Sequence, residues 1–223
     1  MEEYLSEKER WEWVKEQLRA NAPAVILAVV VALAGLAGWR WWQARQDGAR
    51  LAANHDYMQM VQALERGDRG QALVMLGQLE RDHAGSPYTD QGQLLAARVY
   101  VDGNELDKAA AQLAAVAEHS KDPALALVAR QRLARVQIAQ GKPDAALETL
   151  KSTNVGAFAA RYHEVRGDAY FAKGDRATAL SEYRSAQSSA TPGSAPLLEL
   201  KIADLATAAP PSAKNDAAAV AGK

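Results

Sequence analysis

The sequence contains no cysteine among its 223 residues. This absence excludes disulfide bonds, thiolate catalysis, cysteine-based metal sites and lipid attachment through an N-terminal cysteine. Proteins on either side of a membrane can lack cysteine, so the compartment stays open at this point.

The sequence also lacks an excess of charge of either sign. It has 26 basic and 27 acidic residues, which gives a formal net charge of -1. Nothing in this balance favours a nucleic-acid groove or a polybasic membrane patch. With 48% apolar and 24% charged residues, the composition is typical of a globular chain that buries a substantial core.

Motifs for catalysis or cofactor binding are missing as well. The sequence has no G-x-x-x-x-G-K-[ST] phosphate loop and no G-x-S-x-G elbow. The four histidines are His55, His83, His119 and His163. None has a second histidine three or four residues later, so the spacing disfavours a metal site. Glu105, Asp107 and Glu118 are better explained as surface charge than as an acid–base pair. We therefore expect no enzymatic activity, no metal and no other cofactor.

One long apolar run stands near the N-terminus. Residues 22–39 contain no charged side chain, and 18 residues at about 1.5 Å per residue span about 27 Å, close to the hydrocarbon thickness of a bilayer. About 21 residues precede the run, and six of them are glutamates, which is unlike the short basic start of a cleaved signal peptide. A buried core helix would rarely have so uniform a surface. The run therefore predicts an uncleaved single-pass anchor over residues 22–42.

Two sets of residues make up this predicted anchor. The membrane-embedded residues are Pro23, Ala24, Val25, Ile26, Leu27, Val29, Val30, Val31, Leu33, Leu36, Gly38 and Trp39. Arg40, Trp41 and Trp42 are predicted to lie at the membrane interface, where amphipathic rings and basic side chains collect.

The flanking charges barely distinguish the two orientations. The basic residues beside the run are Lys8, Arg10, Lys15 and Arg19 before it and Arg40, Arg45 and Arg50 after it. Four against three favours a cytoplasmic N-terminus only weakly. Residues 6–19 fit either a short amphipathic helix on the membrane surface, through Trp11, Val14 and Leu18, or a solvated charged tail.

The remainder of the chain is punctuated by four turn signals. Gly67, Gly103, Gly141 and Gly174 are separated by 36, 38 and 33 residues, close to the 34-residue period of the tetratricopeptide repeat. The predicted helix pairs are 45–66 with 70–83, 88–102 with 105–119, 123–140 with 143–151, and 156–173 with 176–188. Proline lies between units at Pro87, Pro123 and Pro192 and opens a helix at Pro143.

Small and aromatic residues recur at fixed distances from these glycines. The predicted repeat-packing residues are Ala96, Ala134, Ala146, Gly167, Tyr170, Gly174, Ala179, Tyr183 and Ala186. Unit four fits the consensus best. Unit one has Met60 where a small residue is expected, and unit two fits only if Ala109 is shifted by one residue.

The predicted fold is thus all-α: a single N-terminal transmembrane helix followed by a tetratricopeptide-repeat-like solenoid of about four helix pairs and a capping helix. Apolar periodicity at residues 197–205 supplies that capping helix. A long coiled coil is disfavoured because glycines interrupt the heptads. The predicted domains are a tail (1–21), an anchor (22–42), a repeat domain (43–207) and a disordered tail (208–223).

A helical solenoid presents an extended surface to a peptide or protein partner, usually through the first helix of each unit. Residues that are candidates for this surface are Asp56, Gln93, Arg98, Arg130, Gln137, Arg161 and Asp168. Solubilising the helices explains each of them equally well, so the partner-binding residues stay unknown from the sequence.

Several segments resemble one known family, the ancillary SecYEG translocon subunits of bacterial inner membranes. The resemblance covers most of the chain, from the acidic tail and the G-W-R-W-W flank (residues 38–42) to V-D-G-N-E-L-D-K-A-A-A-Q-L (101–113), L-A-R-V-Q (133–137) and R-G-D-A-Y-F-A-K-G-D (166–175).

This resemblance implies a cytoplasmic N-terminus, an inner-membrane anchor and a periplasmic repeat domain. It also implies a non-catalytic role beside the SecYEG translocon, with a membrane-anchored periplasmic chaperone of the peptidyl-prolyl isomerase type as a partner and secreted client chains as possible ligands. Two rival functions remain: a scaffold for envelope or outer-membrane assembly, and a regulator, either of a stress pathway or facing the cytoplasm.

Overall fold

The computed structural model describes residues 7–20, 22–151, 154–191 and 196–207. This described part of the chain is helical and contains no β-strand. The helices are α1 (Glu7–Ala20), α2 (Ala22–Glu65), α3 (Arg69–Asp82), α4 (Pro87–Asp102), α5 (Leu106–His119), α6 (Pro123–Ala139), α7 (Pro143–Thr149), α8 (Ala159–Ala172), α9 (Arg176–Ser189) and α10 (Pro196–Thr207), with a 3₁₀ turn at Gly156–Phe158 before α8. The predicted all-α fold is confirmed. The predicted disordered tail, 208–223, lies outside the described residues.

The N-terminal unit, residues 1–52, contains α1 and the first part of α2. The apolar part of α2 is long and apolar enough to cross a membrane, with a mean hydropathy of 2.2 over 18 residues, none of them buried inside the protein. Its valine, leucine and isoleucine side chains point outward. An apolar surface of this kind is stable in lipid and costly in water.

Helix α2 continues where the sequence predicts a break. The predicted anchor ends at residue 42 and the first repeat helix begins at 45, whereas the structure forms one helix of 44 residues. No proline follows Pro23 within it, and Gly48 adopts helical geometry. Because glutamine, alanine and arginine favour helix between these positions, the change from uniformly apolar to core-facing residues requires no interruption.

The second unit, residues 53–223, is built from helices joined by tight turns. At the end of each first helix, one residue adopts a positive φ and closes the turn: Gly67 (77°), Asn104 (57°), Gly141 (74°) and Gly174 (84°). In the second turn it is Asn104, and Gly103 has an ordinary φ of -87°. Asparagine is among the few residues other than glycine that tolerate this region.

This observation corrects the predicted register of unit two. Counted from Asn104, Ala109 stands five residues later, as Ala72, Ala146 and Ala179 do in the other units, so no shift is needed. The same count puts Ala97, rather than the predicted Ala96, at the position that Gly167 occupies in unit four. Ala96 is nevertheless fully buried, because it packs in the core between α2 and α3.

Local capping explains where several helices begin. The side chains of Asp68 and Asp175 accept hydrogen bonds from Gln71 N and Thr178 N. The pKa of Asp175 is lowered by a hydrogen bond from the Thr178 side chain and then by the bond from Thr178 N. Pro87 is predicted to lie between units but is the first residue of α4, after the capping Ser86. A proline at this position loses no helical hydrogen bond.

Four hydrophobic clusters form the core of the part of the chain that the structure describes, each shared by consecutive helices. The first joins α2, α3 and α4, the second α4, α5 and α6, the third α6, α7 and α8, and the fourth α9 and α10 with Tyr170 of α8. Small residues at the helix crossings, such as Ala109, Ala146 and Ala179, are completely buried. Each pair therefore buries its apolar face against its neighbour, as stacking repeats do.

A series of polar contacts, here called the turn ladder, joins each turn region to the next. Arg69 pairs with Glu105, Gln140 Nε2 donates to Asp107 Oδ1 (2.8 Å), and Lys173 Nζ donates to Asp144 Oδ1 (2.5 Å). The last bond raises the pKa of Lys173. These contacts lie at the surface, so we expect them to fix the stacking register more than to stabilise the fold.

Candidate functional site

The first helices of units two and three, α4 and α6, lie beside each other and enclose a groove. Its volume is about 560 Å³, within the range of ordinary ligand sites. We call it the α4–α6 groove, and its lining residues are Tyr57, Gln91, Leu94, Leu95, Ala97, Arg98, Val101, Leu106, Leu113, Arg132, Arg135, Val136 and Ala139.

Apolar side chains form the floor of this groove. Leu94, Leu113 and Val136 are buried members of the second core cluster, so the floor is continuous with the packed interior. Val101 lies at the edge and is 41% exposed. A rigid apolar floor of this kind favours an apolar side chain of a partner, since both surfaces lose contact with water on binding.

Among the described residues that line the groove, three guanidinium groups are the only charged groups, and none of these residues is a carboxylate. Arg98 Nε lies 3.9 Å from Asp102 Oδ2, but both side chains are more than two-thirds exposed, so this pair is weak. Arg135 lies 3.6 Å from Glu164 Oε2. Arg132 is exposed and makes no hydrogen bond or ion pair within the described part of the chain. The rim of the groove is therefore positive.

The repeat register explains why two of these arginines line the same groove. Arg98 and Arg135 both stand six residues before the turn residue of their unit, Asn104 and Gly141. In unit four the same position is Asp168. The sequence alone concealed this match, because counting from Gly103 instead of Asn104 displaces unit two by one residue.

Most of the surface residues suggested by the sequence make contacts within the protein instead. Asp56 lies 3.3 Å from His83, Gln93 donates to Glu80, Arg130 donates to Ala117 O, and Gln137 accepts from Thr149. Asp168 accepts bonds from Tyr183 and Lys201. Arg161 is exposed. Of the seven, only Arg98 lines the groove, whereas Arg132 and Arg135 were missed.

A polar network connects the groove to the C-terminal helix. Glu164 forms an ion pair with Arg135 (3.6 Å) on one side and accepts a hydrogen bond from Lys201 Nζ of α10 (2.9 Å) on the other, and Lys201 also donates to Asp168 (2.7 Å). Burial lowers the pKa of Lys201, but its bonds to Asp168 and Glu164 outweigh that effect and leave the pKa raised. The charged ammonium therefore helps hold α10 against α8.

The predicted repeat-packing residues of unit four come together as a compact set. Tyr183 packs directly on Gly167, where an added Cβ would lie 2.5 Å from the ring Cδ1 atom. The Tyr183 hydroxyl donates to Asp168 Oδ1 (2.7 Å). Burial, and then this bond to a carboxylate, raise the pKa of Tyr183. Ala179 and Ala186 are fully buried beside it, Tyr170 packs against the same cluster, and the positive φ of Gly174 closes the turn.

The acidic residues considered for catalysis have structural partners. Hydrogen bonds from Lys108 and then from Arg69 lower the pKa of Glu105, and Asp107 accepts from Gln140. Glu118 is exposed. Within the described residues, no group of three or more acidic or histidine side chains is placed to hold a metal.

The predicted anchor residues all lie on the outward surface of α2. At the end of the apolar run, the rings of Trp39 and Trp42 lie 5.5 Å apart, and the guanidinium of Arg45 lies 5.5 Å from the centre of the Trp41 ring. Aromatic and basic groups together in this way are typical of a membrane interface. In α1, Trp11 and Trp13 are exposed.

Comparison with known proteins places this architecture in a family. Residues 15–207 match the family described as a tetratricopeptide repeat-like domain. The chain is 32% identical over 206 residues to a protein of Escherichia coli (strain K12) named ancillary SecYEG translocon subunit, covering 92% of this chain and 99% of that one. The chain belongs to the family of ancillary SecYEG translocon subunits. The resemblance stated from the sequence motifs is thereby confirmed.

Other members of the family align over similar lengths. Proteins with the same name from Aggregatibacter actinomycetemcomitans and Neisseria gonorrhoeae are 28% and 27% identical, covering 90% and 83% of this chain and 98% and 90% of theirs. Among solved structures, the fold is similar to MamA 41-end from Desulfovibrio magneticus RS-1, with a TM-score of 0.51 at 17% identity over 61% of this chain and 75% of that one. The MamA RS-1 ArsTM double mutant gives 0.52 at 16% over 70% and 94%. At such identities, these structures support the fold alone.

Proposed function

We propose that this translocon-subunit homologue is a membrane-tethered, non-catalytic protein-binding module that works beside the SecYEG translocon of the bacterial inner membrane. The observation that carries the proposal is the combination, in one chain, of an apolar helix long enough to span a bilayer and a repeat domain with an open groove. The names of relatives that align over nearly their whole length support the choice of translocon.

In this proposal the N-terminal tail is cytoplasmic and the repeat domain lies in the periplasm. The anchor holds the repeat domain beside the channel and thereby raises its effective concentration, so that individually weak contacts become productive. A membrane-anchored periplasmic chaperone of the peptidyl-prolyl isomerase type is the proposed second partner, and emerging secreted chains are proposed clients. Binding alone accounts for this role, and no bond is made or broken.

Site-specific photo-crosslinking in intact inner membranes tests the proposal. A photoreactive residue at Val101 or Arg132 probes the α4–α6 groove, and the same residue at Val74, which is 54% exposed on α3, serves as a surface control. We expect the groove positions to give adducts with a channel subunit or with the chaperone. If positions spread over residues 88–188 gave adducts with neither, the proposed function would be wrong, and adducts with outer-membrane assembly factors would support a scaffold instead.

A further inference from the structure

The α4–α6 groove combines an apolar floor with a rim that is positive on several sides. Arg98 rises from α4, and Arg132 and Arg135 rise from α6, so the positive charges come from both walls. The whole chain has a formal charge of -1, so this concentration of positive charge is local. A surface of this kind attracts groups that are negative and apolar at once.

The arginines of the rim are available to a ligand to different degrees. Arg135 already shares Glu164 with Lys201, whereas Arg98 has only a long, solvent-exposed contact to Asp102. Arg132 has no ionic partner among the described residues. Because a guanidinium binds a carboxylate through two parallel hydrogen bonds, Arg98 and Arg132 are each suited to hold one acidic side chain.

We infer that the α4–α6 groove binds a short acidic segment of a partner protein, with one or two apolar side chains seated on the floor and flanking carboxylates held by Arg98 and Arg132. This inference rests on the proposed function and names the chemistry of the segment that the module recognises. Recognition of acidic motifs by clustered arginines is a recurring mode of peptide binding.

The apolar floor of the groove favours a protein segment over a nucleic acid. The floor formed by Leu94, Leu95 and Val136 would contact sugar and phosphate groups without compensating hydrogen bonds. A leucine or phenylalanine side chain would instead bury its surface against that floor. A basic segment would be repelled by Arg132, which has no carboxylate partner among the described residues, and by Arg98, whose contact to Asp102 is weak.

Fluorescence anisotropy on the full-length chain in lipid nanodiscs tests the inference. The probe is a fluorescein-labelled peptide in which glutamates alternate with leucines. One comparison peptide replaces every glutamate by lysine, and a second replaces every leucine by serine. We expect the acidic leucine peptide to bind at least about tenfold more tightly than either comparison peptide, and to weaken as salt is added.

Two variants of the groove, with matched controls, assign the binding to this site. The double variant Arg98→Glu, Arg132→Glu is expected to weaken the acidic peptide by at least about tenfold. Arg184→Glu reverses one charge, half the change of the double variant, at an exposed position on α9 and is expected to leave binding unchanged. Val101→Ser is expected to weaken binding severalfold, while Val74→Ser on α3 has no effect. Circular dichroism establishes that each variant is folded.

Three results would overturn the inference: equal binding of the lysine peptide, unchanged binding by the double variant, or equally tight binding of a single-stranded oligonucleotide at the groove. These results leave the proposed function intact if the groove positions still crosslink to the channel or the chaperone. Conversely, peptide binding without any such adduct would contradict the proposed function while supporting the chemistry of the groove.

Discussion

Gly167 shows how a single missing Cβ sets the distance between two helices. The ring of Tyr183 occupies the space that a side chain at residue 167 would need, and both residues are buried. This close approach also brings the Tyr183 hydroxyl within 2.7 Å of Asp168. Glycine is required here by packing, because Gly167 adopts ordinary helical geometry within α8.

Replacing this glycine by alanine is therefore expected to destabilise the repeat domain. The added methyl group must displace a buried ring, so we expect Gly167→Ala to lower the free energy of unfolding by about 1–3 kcal/mol. Urea unfolding of the full chain in mild detergent, followed by circular dichroism, measures the change. Gly70→Ala is the matched control, since its Cβ would lie 3.6 Å from Asp68 Oδ1 and alanine favours helix there. Equal effects of the two substitutions would argue against the packing explanation.

Tyr183 also gives the stability of the domain a dependence on alkaline pH. Its pKa is raised in the folded state, so the folded protein keeps a proton that the unfolded chain loses above the ordinary value of 10.0. The folded state then binds more protons than the unfolded state, and stability falls as the pH rises past that value. Lys201, whose pKa is also raised, acts in the same direction.

Tyr183→Phe separates this contribution from that of Lys201. We expect the variant to be less stable at neutral pH by about 0.5–1.5 kcal/mol, because the hydrogen bond to Asp168 is lost. Above pH 10 its stability should decline less steeply than that of the parent, since a group whose pKa is raised in the folded state has been removed. Urea midpoints measured at several pH values check both statements. Parallel curves for parent and variant would show that Tyr183 does not titrate in the unfolding reaction.

At the scale of the helix, α10 is held to α9 by apolar contacts and to α8 by charge. Leu198 and Leu205 are buried against α9 and its neighbours, while Lys201 reaches two carboxylates of α8. All three charged side chains are only about a quarter exposed or less. Carboxylates in such a position are costly to leave without a cation, because little solvent is available to replace it.

Lys201→Met is expected to destabilise the domain by about 1–3 kcal/mol, since it leaves Glu164 and Asp168 close together with less positive charge. Lys108→Met is the control: Lys108 pairs with Glu105 at the surface, its side chain is 64% exposed, and we expect a clearly smaller loss of stability. Urea unfolding compares the two. A control that cost as much as Lys201→Met would contradict the role assigned to burial.

The helices themselves were largely predictable from the sequence, whereas two of their connections were not. Glycine marks the turns because few other residues adopt a positive φ, and proline marks the start of several helices. These two residue types predicted the helix pairs of the repeat domain. Asn104 was not predicted as the turn residue because Gly103 stands beside it, and glycine is the commoner residue at a positive φ. The continuity of α2 was missed because a change from uniformly apolar to one-sided composition suggests a boundary even where every residue tolerates helix.

The candidate groove was less predictable than the fold. Arg98 and Arg132 lie 34 residues apart in the sequence, and their proximity depends on how α4 and α6 stack. A list of polar residues on the first helices contains Arg98 but also Asp56 and Gln137, whose side chains are engaged within the protein. Only the three-dimensional packing of the helices distinguishes a side chain that faces the groove from one that contacts another residue of the protein.

At the scale of the whole molecule, the central property is its proposed orientation across the membrane. The flanking charges distinguish the two orientations only weakly, while the family resemblance implies a periplasmic repeat domain. The complete absence of cysteine makes the question accessible, because any cysteine introduced by mutation is the sole site of thiol labelling.

Single-cysteine labelling is expected to reveal the orientation. Lys121→Cys, at an exposed position between α5 and α6, should react with a membrane-impermeant maleimide on intact spheroplasts. Glu12→Cys in α1 should react only after the membrane is permeabilised. Gel-shift detection of the labelled chain measures both. The opposite pattern would place the repeat domain in the cytoplasm and contradict the proposed localisation.

The stacking of each helix on its neighbours has a consequence for folding during synthesis on the ribosome. The core clusters and the turn ladder join units that are adjacent in sequence, so early pairs can acquire their partners while later ones are still being synthesised. The apolar edge of α8 and α9 is different, because it is covered by Leu198 and Leu205 of α10, the last helix of the described residues. This edge stays exposed until α10 has been synthesised. A nascent chain halted before α10 therefore exposes this one edge, and chaperones that recognise apolar surfaces should associate with it there.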